Sequence, residues 1–408
     1  MNILIITQLY PQPDDEGQNK PTHTVEYFAK EWVQMGHHVI VAHCSSKFPF
    51  VYYLIPSKVK NKLAVKTSNI FPSMKSRRKI VRSEYGIDVY RYPMLKIFPG
   101  HGYSAKTMQK QAHEIINDLE KNGIIPELVV GHFANPSTEL VAILAGQYHA
   151  KSSIVFHGDC NKNTLERYKL KELSGRIGAI GVRSMIEGKL VKKLLELAYD
   201  PFICYSGVPN EVVAAAEITC KKHDYSKGTR YIWVGSFIKR KNLNQVMKAF
   251  SIVAKDDDTL EIIGSGPDES DFHSTAVSLP GNERIMFLGR LPRTDVMHHM
   301  KGSHIFTLIS DQEVFGMVYI EAMLQGCIVI ASEGGGFDGI IINGENGFIC
   351  EPGNTEMLVD IYKKIQSMTI EERNAIGQAA IDTAIHYSEK EVAENYLDDI
   401  LKGQTLKK

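Results

Sequence analysis

Two glutamates, Glu313 and Glu321, stand eight residues apart in a stretch that could do chemistry. The first precedes, and the second lies inside, a helix that we predict to open at Phe315 and Gly316. A buried strand predicted at 303–309 comes directly before them, and ligands of open α/β sheets bind at the carboxyl ends of strands. The helix start offers unpaired N–H groups to an anion, and carboxylates accept hydrogen bonds from hydroxyls. Phosphate together with several hydroxyls describes a sugar nucleotide.

Each glutamate also has a purely structural interpretation. Glu321 would be a partly exposed residue in the first helical turns, where the helix dipole favours an acid. Glu313 alone would be a solvated loop acid, and only the strand before it and the glycine after it favour a site. In the functional interpretation, Glu321 accepts hydrogen bonds from a ribose diol.

A diphosphate needs positive partners, and cations follow a second predicted strand at 231–235. The turn after that strand runs from Ser236 to Lys239, Arg240 and Lys241, before a helix predicted from residue 242. Three cations at such a turn suit a diphosphate, although a solvated basic loop has the same composition. Gly264, after a third strand, predicts a tight turn whose backbone a nucleobase could approach.

The first half of the chain offers two histidines and a polar loop. His132 and His157 each follow a predicted strand, at 127–131 and 153–157, and we expect both to face the ligand. A histidine at a strand end is more often structural, so this prediction depends on the strands around it. The loop that contains Gly17 follows the first strand, and we expect it to border the phosphate and the acceptor.

Composition, the pattern of apolar residues and the positions of glycine and proline indicate the fold class. The chain of 408 residues should hold two or three domains, and 47 basic residues balance 47 acidic ones, which does not favour nucleic acid. Six scattered cysteines suit reduced thiols in a cytosolic protein.

Short apolar runs alternate with helical patterns, which predicts parallel sheets flanked by helices. We expect neither a signal peptide nor a spanning helix. Glycine and proline at 206–210 indicate a domain boundary.

These motifs resemble the family-4 retaining glycosyltransferases of the GT-B fold, of the type that builds bacterial surface polysaccharides. The block from Glu313 to Glu321 is specific, and the segments 234–242, 326–332 and 343–348 follow the family's order. The resemblance implies two doubly wound Rossmann-like domains facing across a cleft. They are an acceptor domain at 1–207 and a donor domain at 208–385, with a terminal helix at about 386–408 packing back on the first.

The resemblance also implies the residues of the site. Lys241 would contact the donor diphosphate, Glu313 the transferred sugar and Glu321 the ribose, while His157 and Gly158 would lie against the donor sugar. The implied catalytic residues are His157, Lys241 and Glu313; the donor-binding residues are Ser236, Arg240, Gly264, Phe315, Gly316, Met317, Val318 and Glu321; the acceptor-binding residues are Gly17 and His132. Many relatives have arginine where this chain has Ser236, so either Arg240 or Lys239 supplies that charge or the site binds phosphate less tightly.

The implied reaction moves a hexosyl unit from a nucleoside diphosphate sugar, which we expect to be UDP-linked, to a hydroxyl of a glycan or lipid-linked saccharide. We expect no cofactor and no metal, because no Asp-x-Asp pair stands at a strand end with metal-binding spacing. Alternatives are another GT-B enzyme, such as a sugar-nucleotide epimerase or a phosphorylase, and a non-catalytic sugar-nucleotide-binding protein.

Residues 48–83 predict a contact with an anionic membrane surface. An aromatic run at 48–55 precedes nine lysines and arginines, without an acid, at 57–83. Basic residues beside apolar ones attract anionic lipid headgroups, although a solvated insertion would have the same composition. We therefore expect a cytoplasmic protein that binds peripherally to the inner face of the cell membrane.

Overall fold

The computed structural model describes residues 1–11, 23–56, 59, 85–98, 101–217, 223–311, 313 and 315–403, and the backbone of 80–82. Gly17 and most of the predicted membrane-binding segment therefore lie outside the described residues. The chain divides into two compact units. The first comprises residues 1–183, 187–204 and 393–408, and the second comprises residues 184–186 and 205–392.

Among its described residues, the first unit contains ten strands, which are β1 (Asn2–Thr7), β2 (His38–His43), β3 (Ser46–Lys47), β4 (Ile80–Arg82), β5 (Asp88–Arg91), β6 (Met94–Leu95), β7 (Leu128–His132), β8 (Lys151–Val155), β9 (Ala179–Val182) and β10 (Phe202–Ile203). Eight of them form one sheet in the order β10-β9-β8-β7-β1-β2-β5-β4. Neighbouring strands in this sheet are parallel, except that β4 and β5 are antiparallel to each other. Strands β3 and β6 form a separate parallel ribbon.

Burial explains why the strands of this sheet read as continuous apolar runs. Neighbouring residues of a strand point to opposite faces, and Leu4 and Ile5 of β1 are both fully buried. Both faces of the sheet are therefore covered, as parallel sheets require. The helices around it are α1 (Thr24–Gln34), α2 (Phe50–Tyr53), α3 (Ala105–Lys121), α4 (Ser137–Tyr148), α5 (Lys162–Arg167), α6 (Leu170–Ser174) and α7 (Met185–Leu195).

The described part of the second unit is built on six parallel strands, which are β11 (Arg230–Ser236), β12 (Thr259–Ser265), β13 (Ile285–Gly289), β14 (Ile305–Leu308), β15 (Ile328–Ser332) and β16 (Phe348–Cys350). They follow the order β13-β12-β11-β14-β15-β16, the doubly wound arrangement of a Rossmann fold. The helices of this unit are α8 (Asn210–Glu217), α9 (Leu243–Val253), α10 (Glu269–Val277), α11 (Arg293–Gly302), α12 (Met317–Leu324), α13 (Thr355–Ser367) and α14 (Ile370–Ala384).

The last helix, α15 (Glu389–Gly403), joins the first unit from Ala393 onward. Trp32 of α1 donates a hydrogen bond to the Ala393 carbonyl at 3.0 Å. Tyr396 packs its ring edge against Phe28 at 5.0 Å between centroids. The predicted α/β class, with two doubly wound sheets and a terminal helix on the first domain, is confirmed. Among the helices of the described ranges, none has the length and apolar character needed to cross a bilayer.

Candidate active site

The strand order of the second unit reverses between β11 and β14. These two strands are parallel neighbours, with Ile232 opposite Phe306, while β12 and β13 lie on the other side of β11. Loops that leave the carboxyl ends of two such strands diverge and open a crevice, which is the usual ligand site of this architecture. Lys241 follows β11 and Glu313 follows β14. The loops that contain these two predicted residues therefore both leave the sheet at this point.

Lys241 and Glu313 form an ion pair in which the lysine Nζ donates a hydrogen bond to Glu313 Oε2. Their side chains are only 11% and 12% exposed. Asn242, at a left-handed φ of 51°, ends the short 3₁₀ turn that carries Lys241. Its side-chain Nδ2 donates hydrogen bonds to the Ile309 carbonyl at 2.8 Å and to the Asp311 carboxylate at 3.2 Å. The turn after β11 is thereby tied to the loop after β14.

Gly316 sets the start of α12 beside this pair. It has a φ of 69°, and a Cβ there would stand 2.6 Å from the ring of Tyr319. Tyr319 is buried and donates a hydrogen bond to the Leu308 carbonyl at 2.6 Å. Its ring therefore cannot move away without losing that hydrogen bond and its packing. The first amides of a helix have no partner within the helix and carry partial positive charge. Met317 and Val318, both half-buried, supply such amides next to Glu313.

Phe315 serves a structural role in the same segment. It is buried, and its ring centroid lies 5.4 Å from that of Phe337. A glycine run that the sequence analysis did not single out also touches Glu313. The Gly336 amide donates to the Glu313 carbonyl at 2.8 Å, and a Cβ at Gly335 would stand 3.7 Å from the Glu313 Cβ. Three consecutive glycines, 334–336, which follow strand β15 after a single glutamate, are the signal that could have indicated this loop.

Glu321 is buried and paired, which corrects its structural interpretation as a partly exposed helix residue. Only 9% of the residue is exposed, and its Oε1 lies 2.7 Å from Nη2 of Arg293, the first residue of α11. Burial raises the pKa of Glu321, and the Arg293 guanidinium opposes that rise. Sequence reasoning missed Arg293, since nothing in its local pattern distinguishes it from a surface arginine.

The remaining predicted donor residues occupy different positions around β11. Ser236 is the exposed last residue of that strand. Gly264 of β12 packs so closely that a Cβ would overlap the Gly235 carbonyl. Packing between the strands therefore explains why this position is a glycine. Arg240 is exposed, and with Asn244 of α9 and Asp271 of α10 it lines an open cavity of about 550 Å³. Lys241 and Glu313 are not among the residues lining that cavity.

In the first unit the structure brings His132 and His157 together. His132 Nδ1 lies 3.1 Å from His157 Nε2, and Phe133 stacks on His157 with centroids 4.1 Å apart. Tyr396 of α15 meets the His132 ring edge-on. Burial lowers the pKa of His132 to about 3 and the pKa of His157 well below its usual value. Both imidazoles are therefore neutral near pH 7.

Two carboxylates that the sequence did not assign hold the turn after β8. Asp159 accepts hydrogen bonds from the amides of Ala134 and His157, at 2.5 and 2.9 Å. Glu187 of α7 accepts from the amides of Gly158 and Arg183, at 2.5 and 2.8 Å. Burial raises the pKa of Glu187 to about 7, although these amide bonds oppose the rise. Asp159 thus shapes the backbone at His157.

Comparison with known proteins identifies the class of this chain. Residues 217–383 match the model of the family described as glycosyl transferases group 1. That match covers most of the unit that contains the Lys241–Glu313 pair. Solved structures that are similar to this chain show the GT-B fold for its two units. Within the chain, residues 217–383 form its glycosyl transferases group 1 domain.

Individual proteins are similar to this chain over most of its length. The N-acetyl-alpha-D-glucosaminyl L-malate synthase of Bacillus anthracis is 25% identical over 291 residues, 70% of this chain and 72% of that protein. The putative teichuronic acid biosynthesis glycosyltransferase TuaC of Bacillus subtilis strain 168 is 24% identical over 273 residues, 64% of this chain and 67% of that protein. Anabaena HepE in complex with UDP has a TM-score of 0.67 at 14% identity, covering 98% of this chain and 100% of that one. The likeness to HepE shows the fold alone.

Proposed function

We propose that this protein is a retaining glycosyltransferase that moves a hexosyl unit from a UDP-linked sugar to a hydroxyl of a glycan or lipid-linked saccharide. The observation that carries the proposal is the Lys241–Glu313 pair beside the start of α12. A cation and helix amides suit a diphosphate, and a carboxylate suits sugar hydroxyls. The UDP in HepE supports the choice of base, and the name of TuaC supports surface polysaccharide synthesis.

In the proposed reaction the bond between the anomeric carbon and the diphosphate oxygen breaks. The acceptor oxygen forms its bond to the same face of that carbon, and its proton passes to the departing diphosphate. Attack on the face that the leaving group vacates preserves the anomeric configuration. The Lys241 ammonium and the amides of Met317 and Val318 would stabilise the developing phosphate charge, an effect worth roughly several kcal/mol. These groups supply the positive charge from the protein, so we propose transfer without a divalent cation.

The other predicted residues take orienting roles in this proposal. Glu313 accepts hydrogen bonds from the transferred sugar, and Glu321 accepts them from the ribose diol. Neutral His157 lies against the donor sugar, and His132 shapes the acceptor pocket together with Gly17, which lies outside the described residues. Ser236, Arg240, Gly264 and Phe315 remain proposed contributors to donor binding.

A thermal-shift screen against nucleoside diphosphate sugars tests the donor. A ligand that binds only the folded protein raises Tm by mass action, so the preferred donor should give the largest rise. Lys241→Met should abolish that rise, whereas Lys248→Met, at an exposed position of the following helix α9, should retain most of it. Glu313→Gln or Lys241→Met proteins that transfer sugar at wild-type rates would contradict the assignment. A large fall in the rate of sugar transfer when a chelator is added would contradict metal independence.

The alternatives give different products. An epimerase converts the donor without any acceptor, and a phosphorylase needs inorganic phosphate. A non-catalytic binder would shift in the thermal screen but release no nucleoside diphosphate above background. Product analysis with donor alone, donor plus phosphate, and donor plus acceptor therefore separates all four functions.

We also propose that the protein works in the cytoplasm at the inner face of the cell membrane, without nucleic acid. The basic stretch at 57–83 and the aromatic run before it support this location. A lipid-linked acceptor would be presented at such a surface.

A further inference from the structure

Six large apolar side chains of the first unit are exposed around the ribbon formed by β3 and β6. Their exposed fractions run from 54% to 67%. We call this set the apolar ribbon face, and its members are Phe50, Val51, Leu54, Leu95, Ile97 and Phe98.

The pairing of β3 with β6 brings the two sequence segments together. Ser46 lies opposite Met94 and Lys47 opposite Leu95, in parallel register. The Lys96 amide extends the pairing by donating to the Lys47 carbonyl at 2.8 Å. Because the strands are parallel, the segments that follow them leave the ribbon at the same end. Helix α2 follows β3 and residues 97–98 follow β6, so the apolar side chains share that end.

The opposite side of the ribbon is packed against the protein. Phe48, Met94 and Lys96 are each at most 4% exposed, and they alternate with the exposed Lys47, Leu95 and Ile97. Ser46 and Tyr103 hydrogen-bond through their hydroxyls at 2.7 Å. The ribbon is therefore anchored on one side, and on the other it shows leucine and isoleucine where a strand facing water normally carries polar residues.

The distribution of exposed apolar residues sets this face apart. Of the sixteen large hydrophobic residues that are exposed in the described part of the chain, seven lie at 50–59 and 95–98. Single exposed apolar residues need no explanation, whereas a contiguous group rimmed by polar residues marks an interaction site.

Charge indicates what covers the face. Lys47 is exposed beside it, and no acid occurs at 44–56 or 92–98. The chain continues from Pro56 directly into the nine lysines and arginines of 57–83, which also lack an acid. Apolar side chains flanked by basic ones match a bilayer with anionic headgroups, which accepts both at one surface. A protein partner would need a groove or pocket matched to these side chains, whereas a bilayer accepts them without one.

We propose that the apolar ribbon face inserts into the headgroup region of an anionic lipid bilayer and holds the protein there. The inference rests on the proposed function and deepens it, because it gives the proposed membrane location a defined contact surface. It extends the predicted segment to Leu95, Ile97 and Phe98, which the sequence alone did not connect with residues 48–55.

Vesicle sedimentation with the full-length protein tests the proposal without any sugar substrate. We expect binding to vesicles that contain phosphatidylglycerol, weaker binding to vesicles of phosphatidylcholine alone, and a further loss in high salt. The triple variant Phe50→Gln, Leu54→Gln, Ile97→Gln should partition at least about tenfold less, because each side chain loses its burial in the bilayer. The control variant Ile252→Gln, Val277→Gln removes two equally exposed apolar residues from the second unit and should partition like wild type.

Several outcomes would overturn the proposal. Wild-type protein that stays in the supernatant with anionic vesicles ends it, and so does a triple variant that binds like wild type while its Tm is unchanged. Self-association that the triple variant abolishes, without vesicle binding, would assign the face to a second copy of the chain instead. Vesicle binding without any donor-induced Tm shift would leave this inference standing and would count against the proposed function alone.

Discussion

The Nζ of Lys241 donates a hydrogen bond to the carboxylate of Glu313, which joins two residues separated by 72 positions in the sequence. The pair stands where the strand order reverses, between the loops that leave β11 and β14. Each side chain is almost buried, so each neutralises a charge that would be costly to leave alone. In the proposed function, the same contact would hold both groups in place before a donor binds, which would lower the entropy cost of binding.

The ion pair should be energetically coupled. Lys241→Met and Glu313→Gln should each lower the free energy of unfolding by about 1–3 kcal/mol, because a nearly buried partner loses its hydrogen bond. The double variant should lose clearly less than the sum of the two. Urea unfolding measures all three free energies, with Lys239→Met as an exposed control expected to stay within about 0.5 kcal/mol of wild type. Strict additivity would show that the pair contributes nothing.

Arg293 should keep Glu321 ionised for the donor. Burial already raises the pKa of Glu321, and Arg293→Met removes the group that opposes the rise. The variant should bind the donor more weakly than wild type at about pH 5 and approach wild type at about pH 8. Arg293→Lys keeps the charge and should shift this profile much less. Titration calorimetry across this pH range measures the effect, and a uniform loss at every pH would mean that Arg293 acts only by packing.

The same variant should show an opposite trend in stability. A carboxyl whose pKa is raised by folding binds its proton more tightly in the folded state, so its stabilising contribution is lost as pH rises through that pKa. Arg293→Met should therefore unfold almost like wild type near the ordinary pKa of a glutamate. At neutral pH it should be about 1–3 kcal/mol less stable, because an unpaired carboxylate is then buried. Urea unfolding at both pH values would reveal whether the gap widens.

Gly316→Ala should damage the start of α12. The residue has a φ of 69°, and the added Cβ would press on the buried Tyr319 ring. We expect a loss of about 1–3 kcal/mol in unfolding free energy and a weakened donor-induced Tm shift. Gly302→Ala is the matched control, since a Cβ at the end of α11 meets nothing within 4 Å. An alanine at 316 that leaves donor binding intact would show that these helix amides do not hold the phosphate.

The buried histidines should make the protein sensitive to acid. His132 is fully buried and its pKa falls to about 3, far below the value of about 6.5 expected in the unfolded chain. Between these values only the unfolded state binds the proton, so stability is complete above about pH 6.5 and is lost as pH falls. Each such histidine contributes a slope of about 1.4 kcal/mol per pH unit.

His132→Asn should reduce by one the number of protons that the protein takes up on unfolding, and the slope of stability against pH should fall accordingly. The variant will be less stable at every pH because a packed ring is lost, so the slope between about pH 6 and about pH 4 is the quantity to compare. His101→Asn, at an exposed position, serves as the control. An unchanged slope in His132→Asn would mean that His132 takes up its proton in the folded protein.

Much of the fold could be predicted because its signals are local. The strands expected at 2–7, 38–43 and 127–131 match β1, β2 and β7 closely. Short buried runs and the glycines and prolines between them depend only on neighbouring residues. The ribbon strands β3 and β6 escaped prediction because two residues carry no periodicity, and they form only by pairing with each other.

The sequence by itself determined the class of architecture and the block around Glu313, since both depend on residue types in a fixed linear order. Only the tertiary structure decided which loops meet. A pattern of strands does not state whether β11 lies beside β13 or β14, and that order is what places Lys241 against Glu313. The contacts of Arg293 with Glu321 and of His132 with His157 arise in the same way. Such contacts depend on sheet order and helix packing, which are set by the burial of whole faces rather than by any local run of residues.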